Sequence, residues 1–140
     1  MRKSVALTSI LALVIVLEFG PSSVPAQVTD AHLIGEWVGT WTSTLYQDTG
    51  LPPGATPRGI KNNGEYHLTI TKVEGGRVYA RVQQPGMPLP EFNVVATLNQ
   101  NVIYYANERI KTELTVDGNR MKGTRLGGQA PWQISLQKKK

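Results

Sequence analysis

The chain contains no cysteine and only two histidines in 140 residues. Without cysteine it can form no disulfide framework, thiolate metal site or thiol nucleophile, and no cysteine can carry a lipid anchor. His32 and His67 lie far apart in the sequence, so they suggest no metal site. Charged residues are also few, at 18%, whereas apolar residues make up 40%, which is typical of one globular domain. The length excludes a multidomain enzyme.

A long apolar run occurs only at the N-terminus. Two basic residues precede an almost wholly apolar stretch at residues 5–17, and small residues lead to Ala26. This order is typical of a secretory signal peptide, and the stretch is shorter than the roughly 20 residues that span a bilayer. An uncleaved membrane anchor is the weaker alternative. We expect residues 1–26 to be removed and residues 27–140 to form one exported domain, periplasmic or secreted, without a transmembrane segment.

The positive charge of the chain does not follow a nucleic-acid-binding pattern. The formal net charge is +5, but residues 138–140 are a lysine tail and the other basic residues are dispersed. No basic stripe with interleaved aromatic residues is present, so nucleic acid is not an expected partner. The lysine tail is typical of a solvated chain end.

From Gly35 onwards apolar and polar residues alternate with a period of two, which predicts strands with one buried face. The predicted strands are 36–45, 65–73, 77–84, 91–98, 102–106, 109–116, 120–126 and 132–138. Their connections are mostly short, which favours an up-and-down order, and closure removes exposed sheet edges. We therefore predict an all-β fold, an eight-stranded antiparallel barrel, with a β-sandwich as the alternative.

The predicted connections differ between the two ends of the barrel. Short turns meet at one end, and longer connections meet at the other, including the proline-containing segment 46–64. A segment of this length is either a stiffened surface loop with a function or a disordered stretch, and the sequence leaves both open.

The inward face of the predicted strands changes in character along the barrel axis. It is apolar near the short turns and carries polar and aromatic residues near the long connections, as in small-molecule sites. The predicted ligand-binding residues are Trp41, Ser43, Tyr66, Gln84, Tyr104, Thr112, Arg125 and Trp132. For the aromatic residues among them, simple filling of the core is the alternative.

Arg125 is the charged residue that the alternation directs inward near the open end. A buried guanidinium needs a partner, and the carboxylate or another anionic group of a ligand would supply one. The alternative is that the strand ends before Arg125, which then lies in solvent beside Gly127.

No catalytic constellation is recognisable in the sequence. Glu65 and His67 share the predicted outer face, and no nucleophile is placed beside them. A barrel isomerase or cyclase that uses Tyr66 or Arg125 is a third hypothesis without a supporting motif. We assign no catalytic residue, no metal and no cofactor from the sequence.

The segment from Leu33 to Trp41 resembles the first strand of calycin barrels, the group of lipocalins, fatty-acid-binding proteins and avidins. Gly35-Glu36-Trp37 is similar to the lipocalin Gly-x-Trp signature. The resemblance implies a closed barrel end sealed by Trp37 and crossed by a basic residue from late in the chain, for which Lys138 is the nearest match. The middle lipocalin signature and the avidin ligand set are absent, so the resemblance implies no named ligand.

Together these observations predict an exported calycin-like barrel that binds a small, largely apolar molecule, lipid-like or otherwise, at the end with the long connections. The alternative is a filled barrel that acts as an inhibitor or interaction module and binds a protein partner through residues 46–64.

Overall fold

The first and last strands of the protein pair with each other and close the sheet. The computed structural model describes residues 28–47, 50, 52–56 and 58–140. Its elements are the helix α1 (Asp30–Leu33) and the strands β1 (Gly35–Gln47), β2 (Arg58–Glu74), β3 (Arg77–Gln83), β4 (Phe92–Asn99), β5 (Val102–Ala106), β6 (Lys111–Asp117), β7 (Arg120–Leu126) and β8 (Trp132–Lys138). Each strand pairs antiparallel with the next, and β8 pairs with β1 between Trp37↔Lys138 and Ser43↔Trp132. The predicted eight-stranded up-and-down barrel is confirmed, and the β-sandwich alternative is wrong.

The predicted signal peptide, residues 1–26, lies outside the described residues. In the part of the chain that the structure describes, no helix has the length and apolar character needed to cross a membrane.

Alternation along each strand directs apolar side chains to the barrel core. In β6, for example, Thr112, Leu114 and Val116 are buried between exposed neighbours. Burial of apolar surface contributes about 25 cal/mol per Å2, so a closed barrel with one packed interior is favoured over an open sheet. The buried apolar side chains are Leu33, Trp37, Trp41, Tyr66, Leu68, Ile70, Val78, Ala80, Val82, Val94, Ala96, Ile103, Leu114, Val116, Met121, Ile134 and Leu136.

Strand β5 has the opposite phase from the one predicted. Ile103 is buried and Tyr105 packs against the core, whereas Tyr104 is 42% exposed and pairs with Thr97 on the outer wall. The prediction that Tyr104 contributes to an internal site is therefore wrong. Residues 102–105 form an unbroken apolar and aromatic run, so no charged or amide side chain indicates which positions face outward.

Much of the segment predicted as a loop, 46–64, belongs to strands. β1 and β2 remain paired as far as Gln47↔Arg58, beyond Ser43, where the described pairing of β1 with β8 ends. We call residues 44–47 and 58–64 the β1–β2 ribbon, because β1 has no described β8 partner beyond Ser43 and the described pairing of β2 with β3 begins only at His67. Residues 58–64 of the ribbon contain glycine, asparagine and basic residues without apolar alternation, since a ribbon outside the barrel has no core to pack against.

Short hairpins and α1 form the closed end. The β2–β3 turn has Gly75 and Gly76 at φ 57° and 73°, the left-handed conformation that two-residue hairpin turns require. Trp37 is fully buried, and its indole Nε1 donates a hydrogen bond to the Leu33 carbonyl at 2.9 Å. The Lys138 ammonium lies 5.6 Å from the centre of the Trp37 ring, as the resemblance to lipocalins implied.

Candidate functional site

A cavity of about 900 Å3 opens at the end of the barrel opposite Trp37. We call it the mouth cavity. Its volume lies in the range of small-molecule sites. The described residues that line it are Trp41, Ser43, Leu45, Asn62, Asn63, Gly86, Met87, Pro88, Arg109, Ile110, Arg125, Gly127, Gly128, Gln129, Ala130 and Trp132.

The barrel interior below the mouth cavity is nearly filled. A second pocket among inward side chains of β2 to β6, including Tyr66 and Thr112, has a volume of only about 30 Å3. That volume admits about two water molecules at most. The structure therefore offers much more space for a ligand at the rim than inside the barrel.

One wall of the mouth cavity is a pair of stacked indoles. The rings of Trp41 and Trp132 have their centres 4.0 Å apart with an interplanar angle of 13°. They meet because β8 pairs with β1, so that these residues are diagonal neighbours on the inner face. Gly64 lies opposite Trp41, and a Cβ atom there would come within 2.6 Å of the indole Nε1. The glycine thus allows the Trp41 ring to lie flat against β2.

Arg125 covers the outer indole of this pair. Strand β7 continues to Leu126, so the alternative that the strand ends before Arg125 is wrong. The central carbon of the guanidinium lies 4.4 Å from the centre of the Trp132 ring, a cation–π contact. Arg125, Trp132 and Trp41 therefore form a three-layered stack at the edge of the mouth cavity.

Two turns bring further residues to the rim. In the β5–β6 connection the Asn107 Oδ1 accepts hydrogen bonds from the backbone amides of Arg109 and Ile110, at 2.8 and 2.9 Å. This side-chain-to-backbone turn holds both residues at the cavity. In the β3–β4 connection the Met87 amide donates to the Gln84 carbonyl at 3.1 Å, which closes the turn that carries Met87 into the lining.

Several buried polar atoms near the open end have no hydrogen-bond partner within the described part of the chain. They are Trp41 Nε1, Arg125 Nη1, Gln84 Nε2 and Gln84 Oε1. An unpaired buried donor or acceptor costs about 1–3 kcal/mol, so such atoms are unusual in a packed core. Trp41 and Arg125 also contribute to the lining of the mouth cavity.

Tyr66 is buried and remains neutral at ordinary pH. Burial raises its pKa from 10.0 to about 12, and the positive charge of Arg125 offsets part of that rise. A phenol with this pKa donates hydrogen bonds but does not serve as a base near neutrality. Tyr66 lines the small inner pocket and Arg125 lines the mouth cavity, so the two do not share one open cavity as the isomerase or cyclase hypothesis requires.

The structure divides the predicted ligand-binding residues into groups. Trp41, Ser43, Arg125 and Trp132 line the mouth cavity, Tyr66 and Thr112 line the small inner pocket, Gln84 is buried at the end of β3, and Tyr104 lies outside. Leu45 also lines the cavity, on the same face of the predicted strand 36–45 as Trp41 and Ser43. The alternation did not identify Asn62, Met87 and Arg109, which reach the cavity from the ribbon and the rim turns. These three lie in or beside the predicted open-end connections, and the period-two pattern does not report that position.

The outer wall carries the Glu65–His67 pair that the sequence placed on the wet face. His67 Nε2 and Glu65 Oε2 are 3.3 Å apart, and both side chains are at least one-third exposed. Within residues 28–47, 50, 52–56 and 58–140, no cluster of three or more histidine, aspartate or glutamate side chains is arranged to hold a metal ion.

No model of a known protein family matches the chain, and no curated protein matches it either. The geometry of the mouth cavity is therefore the basis on which a function is assigned.

Proposed function

We propose that this protein is an exported calycin-like barrel that binds a small, largely apolar molecule in the mouth cavity. The observation that carries the proposal is an open cavity of about 900 Å3, walled by two stacked indoles, above an otherwise filled barrel. A concave lining that combines apolar and aromatic side chains with a few polar groups is typical of sites that take small organic ligands.

Two further observations support parts of this proposal. The N-terminal order of basic, apolar and small residues supports export. Trp37 at the barrel base with Lys138 across its ring supports the calycin assignment, because the Gly-x-Trp segment stands where that resemblance requires it.

The size of the cavity limits the affinity that is expected. A ligand of about 20 non-hydrogen atoms that gains about 0.3 kcal/mol per atom binds with about 6 kcal/mol. This corresponds to a dissociation constant of tens of micromolar. A ligand that also pairs with a polar group of the lining would bind more tightly.

The proposal is tested by titration with N-phenyl-naphthylamine, an uncharged aromatic probe whose fluorescence rises in apolar surroundings. We expect saturable binding to the wild-type protein and about tenfold weaker binding to Trp132→Ala, because the variant loses the cavity-facing indole. Tyr104→Ala is the matched control, since it removes an exposed aromatic ring on the outer wall. The absence of saturable binding, or equal losses in both variants, would contradict the proposal.

A second candidate is an interaction module that acts through the β1–β2 ribbon. The observation in its favour is that the described pairing of β2 with β3 begins only at His67, so the backbone edge of residues 58–66 has no paired strand in the described part of the chain. Exposed edges of this kind accept an added strand from a partner. Deletion of residues 51–58 distinguishes the candidates: loss of partner binding with unchanged probe binding favours the module, and the reverse favours the cavity.

A further inference from the structure

The charged side chains among the described residues that line the mouth cavity are all positive. Among its described lining residues are Arg109 and Arg125, and none is an aspartate or a glutamate. No ion pair among the described residues includes Arg109 or Arg125. The described pairs are His67–Glu65, Lys72–Glu74, Arg81–Glu91 and Lys139–Glu36. A concave surface with charge of one sign concentrates ions of the opposite sign.

Two residues that line the cavity carry a buried donor without a partner. Arg125 Nη1 and Trp41 Nε1 are both buried without a hydrogen-bond partner in the described chain. A guanidinium has several further N–H groups and no acceptor, so a ligand atom that pairs with Arg125 must itself accept hydrogen bonds. An oxyanion supplies several acceptor atoms together with the charge that Arg125 lacks beside it.

The contact with Trp132 covers a face of the Arg125 guanidinium and not the edge that carries its N–H groups. The guanidinium lies over the Trp132 ring at 4.4 Å, so one face of the planar group is covered. The N–H groups of a guanidinium lie in its plane, and stacking therefore fixes the plane without occupying the donors. The arrangement holds the donor edge in place before a ligand arrives, which reduces the cost of ordering it on binding.

We infer that the ligand of the mouth cavity is an organic anion, with an apolar or aromatic body against lining side chains such as Leu45, Met87 and Ile110 and a carboxylate, sulfonate or similar oxyanion bound by Arg125. The inference rests on the proposed function, because it names the chemical class of the molecule bound at the same site. Arg109, exposed at the rim, adds a second positive charge on the approach to the cavity.

A matched pair of probes tests the inference. Anilinonaphthalene sulfonate and N-phenyl-naphthylamine share their aromatic body and differ by the sulfonate group. For the wild-type protein we expect the sulfonate to bind at least about tenfold more tightly than the neutral probe, a difference of about 1.4 kcal/mol. Added salt should reduce this preference, since part of it is electrostatic.

Substitutions in β7 test whether Arg125 causes the preference for the sulfonate probe. In Arg125→Met the two probes should bind within about threefold of each other, and thermal unfolding shows whether the variant is folded. Arg125→Lys retains the charge but loses the planar fork, and we expect an intermediate preference. Arg120→Met is the control, because it removes the same charge from an exposed position at the other end of β7.

The outcomes separate the inference from the proposed function. If neither probe binds the wild-type protein, the proposed function itself fails. If both probes bind the wild type equally, or if the sulfonate preference survives in Arg125→Met, the organic-anion inference is overturned while small-molecule binding stands. If Arg125→Met does not fold, the wild-type preference and its change in Arg125→Lys decide the question.

Discussion

Each end of the barrel has a tryptophan beside a basic side chain, but the hydrogen bonds of these groups differ between the two ends. At the closed end, Trp37 of β1 lies beside Lys138 of β8, and at the open end Trp41 of β1 stacks on Trp132, which in turn lies beside Arg125 of β7. The closed end satisfies its donors: the Trp37 indole bonds the Leu33 carbonyl and Lys138 donates to a carbonyl of α1. At the open end the donors of Trp41 and Arg125 have no partner in the described chain.

This difference supports a structural role for the closed end and the proposed binding role for the open end. The short helix α1 supplies the acceptors at the closed end, so the protein is complete there without any other molecule. At the open end the indoles and Arg125 are ordered by stacking, but Trp41 Nε1 and Arg125 Nη1 have no partner in the described chain, which costs about 1–3 kcal/mol for each buried donor. Groups that are ordered yet unsatisfied are typical of sites that await a ligand.

The largest expected effect separates the tryptophans of the two ends. Trp37→Ala should lower the free energy of unfolding by about 3–5 kcal/mol, because it opens a cavity under a fully buried side chain. Trp132→Ala should cost clearly less, since its ring is half-buried at the rim. Urea denaturation of the two variants measures the difference. Equal losses would show that the open end is a structural core like the closed end.

The next largest expected effect is a loss of folding stability at alkaline pH, caused by the ionisation of Tyr66. Below about pH 10 the phenol is protonated in both the folded and the unfolded chain, so it adds no pH dependence. Between about pH 10 and about pH 12 the unfolded chain ionises first because its tyrosine has the lower pKa, and the folded state loses roughly 2–3 kcal/mol of relative stability.

The control for this effect is Tyr66→Phe, which keeps the ring and removes the titrating group. Urea denaturation at several pH values should show a steeper alkaline loss for the wild type than for the variant. Parallel losses in the two proteins would mean that Tyr66 titrates as it does in water, and that the barrel interior beside the mouth cavity is hydrated.

The smallest effect compares the two cations directly. Lys138→Met should destabilise the protein by about 1–2 kcal/mol, because the His32 carbonyl and the Trp37 ring both lose a partner. Arg125→Met should change stability by less than about 1 kcal/mol, since the lost contact with Trp132 is offset by removal of an unpaired buried donor. Thermal unfolding in the absence of ligand measures both. A cost at Arg125 as large as that at Lys138 would assign Arg125 to structure.

Alternation was sufficient to predict the barrel because one packed interior imposes the same period on every strand. Each observed strand overlaps a predicted one, and Ser43, Gln84 and Thr112 are buried as their parity required. The prediction of which side chains face inward is wrong at residues 102–105, where no polar side chain marks the outer face. The alternation directs Tyr104 inward and Tyr105 outward, and the structure shows the reverse. The short turn before β5, with Gln100 at φ 56°, fixes the phase of β5 through its geometry and not through apolar pattern.

The mouth cavity was predictable only in part, for a different reason. Trp41 and Arg125 lie on strands, and their parity directed them correctly. Arg109 and Met87 reach the cavity through rim turns, and the ribbon residue Asn62 through pairing outside the core. Positions of this kind depend on hydrogen bonds and register between distant segments, which a local period does not encode.

The most direct test of the account follows the indole N–H signals of the three tryptophans in a nitrogen–proton correlation spectrum while anilinonaphthalene sulfonate is added. Substitution of each tryptophan by phenylalanine assigns the signals. We expect saturable shifts of the Trp41 and Trp132 signals, because both side chains line the mouth cavity, and an unmoved Trp37 signal, because Trp37 is fully buried at the closed end. A Trp37 signal that shifts together with the others, or a bound probe that moves none of them, would contradict the account.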